Sequence, residues 1–140
     1  MSRFRRVAPP ATTPPMTPAE RRRLLVDAAR TFNSRQYFEA HERLEEGLET
    51  ADDHEFALLL GLIQVAVGYH KLSQGLTGGG AQMLARGVRK LEALAPASTE
   101  LRIELLLRRA RADIDAVARG VFNGGALARD PPRLQLQRGG

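Results

Sequence analysis

Between Tyr37 and Leu48 the chain reads Tyr-Phe-Glu-Ala-His-Glu-Arg-Leu-Glu-Glu-Gly-Leu. His41 and Glu45 stand four residues apart, so in a helix they sit one turn apart on one side. Stepping about 100° per residue puts Tyr37, Ala40, Leu44 and Leu48 on the same side. Glu39, Glu42, Glu46 and Glu49 fall on the opposite side with Arg43. Four of the five glutamates therefore face water, and Glu45 is the exception. An imidazole and a carboxylate in contact can share a proton, serve as a general base and its partner, or ligate a metal. They can equally be an internal pair that locks two helices, because a desolvated carboxylate is costly unless paired. Tyr37, His41 or Gln64 would then supply Glu45 with its hydrogen bond.

Helical elements must position this pair. Thr17-Pro18-Ala19-Glu20 combines a capping box with proline at the first helical position. Helix 1 is expected from Thr17 to about Phe32, with Leu24, Leu25, Ala28, Ala29 and Phe32 inward. Helix 2 is expected from about Gln36 to Ala51. Asp52-Asp53 then break it and cap helix 3, about Asp53 to Ser73, which is apolar nearly all round and should be central. Gly61 and Gly68 lie seven apart on helix 3, one face with Gln64 between them, and would admit another helix closely. Gln74 to Gly80 reads as a Gly-rich loop, followed by helix 4 from about Ala81 to Leu94. Ser98 or Thr99 should cap helix 5, which runs to Arg119 with Gly120 as its stop. No stretch alternates with period 2 long enough for a strand. The predicted class is all-α, a compact bundle of about five helices with antiparallel hairpins around helix 3. Residues 17–120 form the expected domain. Residues 1–16, basic and Pro-rich, and residues 121–140 are expected to be loosely ordered tails.

The motifs carry a family resemblance. Tyr37-Phe38-Glu39-Ala40-His41-Glu42 and Glu45, followed by Gly61-Leu62-Ile63-Gln64-Val65-Ala66-Val67-Gly68-Tyr69-His70, resemble the domain-of-unknown-function family numbered 309. The resemblance spans roughly Ala29 to Leu94. It implies a small all-helical domain of bacteria and archaea, marked by His-x-x-x-Glu-x-x-Trp and then by a Leu-Ile-Gln helix ending near a histidine. His41 and Glu45 stand at the marked positions, with Gln64 and His70 following. Leu48 occupies the tryptophan position, and the chain has no Trp. The family name implies no activity. Tyr37-x-x-Ala40 with Leu44 and Leu48 also resembles one tetratricopeptide-type hairpin. Ala81 echoes Ala40 at an offset longer than that repeat's period of about 34 residues, so an array is not implied.

Other chemistries find less support. The absence of cysteine excludes disulfides, thiolate metal sites and a cysteine nucleophile. His41-Glu42-Arg43-Leu44-Glu45 lacks the second histidine of the zincin motif. Three ligands would converge from His41, Glu45 and His70 only if helices 2 and 3 packed face to face, so neither a metal nor a cofactor is expected. The Gly-rich loop has no Lys-Ser/Thr after it and no strand before it, unlike a phosphate cradle.

The formal net charge of +5 is unevenly spread. An acidic second helix lies inside a basic remainder, and helix 5 interleaves its arginines with acids at paired spacings. Without aromatic interleaving, nucleic acid is not the expected partner. No run of 18 apolar residues indicates a membrane span. The N-terminus lacks the apolar core of a secretory signal, which points to the cytoplasm. The expected function is a binding or interaction module for a protein or small molecule. Its polar pocket would hold His41, Glu45, Gln64, Tyr37 and His70, and a homodimer is one option. The alternative is a hydrolase-like or metal-dependent enzyme using His41 and Glu45.

Overall fold

A computed structural model describes residues 14–94 and 101–136. It contains six helices, α1 (Pro18–Asn33), α2 (Tyr37–Glu45), α3 (Asp53–Ser73), α4 (Thr77–Leu94), α5 (Ile103–Ala118) and α6 (Gly124–Arg129). The described residues form no strand beyond an isolated bridge between Leu101 and Leu136. The class is all-α, as the periodicity predicts. The expected caps at Ser98 and Thr99 and most of the N-terminal tail lie outside the described residues.

The first helix begins as its sequence dictates. Thr17 Oγ1 accepts from the Glu20 amide at 3.1 Å, and Glu20 Oε1 accepts from the Thr17 amide at 3.2 Å. These hydrogen bonds hold the Glu20 carboxyl below its ordinary range. Leu24, Leu25, Ala28, Ala29 and Phe32 are the buried residues of α1, the five that the helical period selects. Asp52 caps α3 through its side chain, which accepts from the Glu55 amide at 2.8 Å.

The third helix is long and apolar enough to cross a membrane by length and composition, but 67% of that window is buried in the bundle. It lies between α2 and α4, and α1 packs on α2 while α5 packs on α4. Its C-terminus closes with a Schellman motif. Gly75 adopts φ +82°, its amide donates to the Leu72 carbonyl, and the Leu76 amide donates to that of Lys71.

Helix 2 stops at Glu45, six residues short of the expected end at Ala51. The Gly47 amide donates to the Leu44 carbonyl and the Leu48 amide to that of Glu45, a tighter three-residue pattern. Gly47 lies where a Cβ would come within 2.9 Å of Leu59 and 3.1 Å of Leu24, so the chain turns close over the core at a point where a side chain would push two leucine methyls aside.

Helix 4 starts at Thr77, not Ala81, and takes in Gly78, Gly79 and Gly80. Local propensity opposes this start. Packing decides it, because Gly80 meets Gly68 of α3.

The stretch expected to be a loose C-terminal tail contains α6 and two buried leucines, Leu127 and Leu134. Asn33 holds it from α1: its Nδ2 donates to the Leu134 carbonyl at 3.0 Å, and the Leu134 amide donates to its Oδ1 at 2.7 Å. Arg35 Nη1 donates to the Ala128 carbonyl at 2.6 Å. None of these partners is near in sequence, so no local pattern announces them.

Candidate functional site

Among the described residues His41 is the one buried polar or charged residue, only 2% exposed. Its Nε2 meets Glu45 Oε1, and its Nδ1 lies 3.1 Å from the carbonyl oxygen of Phe38. Both ring nitrogens thus face oxygen acceptors. Each nitrogen is engaged by an oxygen of its own helix and neither faces outward. Glu45 stays 27% exposed at its side chain, while Glu39, Glu42, Glu46 and Glu49 are exposed. The helical projection isolates the same glutamate.

Phe38 joins this pair to His70. Its ring centroid lies 5.2 Å from that of His41 and 5.4 Å from that of His70. These three residues and Val67, Lys71 and Leu76 line a recess of about 320 Å³ between α2 and α3. The lining is mostly apolar, with the buried imidazole beside the more exposed Lys71. Among the described residues no three His, Asp or Glu side chains gather as a metal site would require.

Two other residues of the expected pocket are directed elsewhere. Tyr37 is buried in an aromatic cluster, 5.1 Å from Phe32 and 5.7 Å from Tyr69 between ring centroids. The charges that act on its hydroxyl are Arg109, Arg35 and Asp113, not the His41–Glu45 pair, and burial pushes its pKa up to about 12. Gln64 lines a separate groove with Arg86, Arg89 and Lys90 of α4. The structure thus joins His41, Glu45 and His70 through Phe38 and leaves Tyr37 and Gln64 in different surroundings.

A second polar cluster escapes sequence reasoning. Tyr69 Oη donates to Asp113 Oδ2 at 2.6 Å, and Arg109 Nε donates to the same oxygen at 3.0 Å. Burial, then the Asp113 charge, pushes the Tyr69 pKa well above the ordinary tyrosine range. Arg109 and Asp113 are legible as an i,i+4 pair on α5. Nothing in the sequence links them to a tyrosine 44 residues away.

Comparison with known families gives the same reading as the motifs. Residues 25–83 match DUF309, a domain of unknown function. The DUF309 segment runs from α1 into α4 and contains His41, Glu45, Gln64 and His70. Arg86, Arg89 and Lys90 fall just beyond it. Comparison with curated proteins and with solved structures returned no match. Leu48, where the resemblance implies a tryptophan, packs partly buried against the core.

Proposed function

We propose that this helical domain is a binding module, with its site in the recess at Phe38, His41 and His70. One observation carries this reading. An apolar concavity of about 320 Å³ is bordered by two imidazoles on either side of a phenyl ring that is 43% exposed. An exposed aromatic ring beside a concave apolar wall is a common arrangement for a ligand site. Because Glu45 and the Phe38 carbonyl occupy both nitrogens of His41, the recess offers that ring as packing surface rather than as a ligating atom. Lys71 adds a cation. The ligand class is therefore a small aromatic or aliphatic group with an acceptor or negatively charged end.

Benzoate and indole are suitable probes. In an amide-detected NMR titration, benzoate should shift Phe38, Val67, His70 and Leu76 more than any other residues, and indole should bind more weakly because it cannot meet Lys71. Val67→Trp should fill the recess and remove these shifts without unfolding the domain. Shifts that are absent, or that survive Val67→Trp, would reject the reading.

The enzyme alternative makes Glu45 a general base with His41 as its partner. Their direct contact favours it. No hydroxyl or thiol nucleophile lines the recess, which is why binding is the better-supported reading.

A further inference from the structure

The crossing of α3 and α4 builds a second concavity outside the recess. At Gly61 the helices approach so closely that a Cβ there would lie 3.3 Å from the Cβ of Lys90. Gln64 stands one turn further along α3. Arg86 stands one turn back from Lys90 on α4, with Arg89 beside Lys90. These four residues, with Ala93, line an open groove of about 440 Å³.

Arg86, Arg89 and Lys90 are spaced i, i+3 and i+4, so they are neighbours on one helix face, and like charges at that spacing repel. Several other cations of the fold have carboxylate partners. Arg21 has Glu55, Arg43 has Asp27 and Glu46, Arg109 has Asp113, Arg111 has Glu92 and Arg119 has Asp115. Among the described residues no carboxylate pairs with Arg86, Arg89 or Lys90. Arg86 makes only a weak contact to Met83 Sδ at 3.9 Å.

Gln64 supplies an independent sign. Gln64 lines the groove, its Oε1 atom is buried without a hydrogen-bond partner, and a buried acceptor calls for a donor. Three cations beside one unsatisfied acceptor are complementary to an oxyanion that still carries an O–H. Inorganic phosphate keeps such a proton at neutral pH, and sulfate does not. The geometry points to a phosphate-binding site in this groove. Arg86 and Arg89 take phosphate oxygens through their guanidinium forks, Lys90 adds a point charge, and Gln64 accepts from the remaining P–O–H.

An amide-detected NMR titration at constant ionic strength tests the site, with inorganic phosphate, methyl phosphate and sulfate as probes and sodium chloride as the balancing salt. Phosphate should give saturable shifts at Gln64, Arg86, Arg89 and Lys90, with sulfate several-fold weaker. The triple substitution Arg86→Gln, Arg89→Gln and Lys90→Gln should remove the saturable shifts. The rest of the spectrum should stay in place, because the groove is open and these charges hold no carboxylate partner among the described residues. Methyl phosphate, mostly dianionic and without a P–O–H at neutral pH, should bind more weakly than free phosphate, as sulfate does, and equally tight binding would overturn the role given to Gln64. Shifts that merely follow salt, that persist in the triple variant, or that are equally strong with sulfate would overturn the proposal. Its signals are distinct from those of the Phe38 recess, so either site can fail without the other.

Discussion

Gly68 and Gly80 face each other across α3 and α4, each holding its carbonyl where a side chain on the other would begin. A Cβ on Gly68 would lie 3.0 Å from the Gly80 oxygen, and a Cβ on Gly80 would lie 2.9 Å from the Gly68 oxygen. Seven residues along each helix, in antiparallel register, Gly61 and Gly87 repeat the approach: a Cβ on Gly87 would lie 2.8 Å from the Gly61 oxygen. Two glycine pairs thus set the separation of the two helices, and with it the position of Lys90 and Arg86 beside Gln64.

Replacing Gly87 with alanine should destabilise the domain by about 1–3 kcal/mol, because the added methyl meets backbone and cannot be accommodated by a rotamer change. Gly78, in the first turn of the same helix, has nothing within 4 Å of its Cβ position. Gly78→Ala should therefore be neutral or stabilise by up to about 1 kcal/mol, the ordinary propensity difference. Chemical denaturation of both variants checks the contrast. Equal effects would mean that close packing does not govern the pair.

Glu45→Gln should lower stability by roughly 1.5–3 kcal/mol, the range for a hydrogen bond to a charged group. The lower half of that range is expected because Glu45 is partly exposed. His41 would lose its carboxylate while remaining buried. A melting temperature equal to that of the wild type would show that the pair does not support the fold.

The two tyrosines give a clean alkaline signal, since the chain has no tryptophan. Burial raises Tyr37 from its ordinary value of 10 to about 12, and Tyr69 moves in the same direction. A raised tyrosine pKa favours the neutral form in the fold. The associated stability is complete below pH 10 and is lost as pH rises from 10 through about 12. Near-ultraviolet titration should show little tyrosinate until the domain loosens, and both rings should then ionise together. Ionisation near the ordinary value in the folded domain would contradict this.

Tyr37→Phe removes a buried hydroxyl that has no hydrogen-bond partner. It should leave stability unchanged or raise it by up to about 1 kcal/mol. Tyr69→Phe should instead destabilise by about 1–3 kcal/mol, because it leaves Asp113 without its closest donor. Urea denaturation of the two variants should separate them, and a Tyr37→Phe loss as large as that of Tyr69→Phe would refute the assignment.

Asn33→Ala removes two hydrogen bonds to Leu134. It should cost about 1–2 kcal/mol and make the segment after α6 a preferred site of limited proteolysis. Unchanged cleavage kinetics would show that Asn33 does not hold this segment.

Local chemistry made much of the fold legible. The capping box at Thr17 and Glu20, the Asp52 cap and the stop at Gly120 each rest on residues within one or two turns, where sequence patterns report directly. The same holds for the face of α2: a 3.6-residue period alone separates Glu45 from the four exposed glutamates and sets it beside His41. Whether side chains on one face share a pocket depends on neighbouring helices. Tyr37 and His41 are four residues apart, yet Tyr37 enters an aromatic cluster under the charges of α5 while His41 meets Glu45. Gln64 and His70 lie on one helix, yet they face α4 and α2 respectively.

The sequence by itself determined that this chain is helical, where most helices begin, and that His41 and Glu45 stand a turn apart on the inward side, because each follows from periodicity or from residues a turn apart. Only the tertiary structure decided that α4 begins at Thr77, that Asn33 holds Leu134, that Tyr69 binds Asp113, and that Gln64 stands beside three unpaired cations. These depend on the register at which helices cross, and that register is set by shape: glycines that let backbones touch, and leucines that fill what remains.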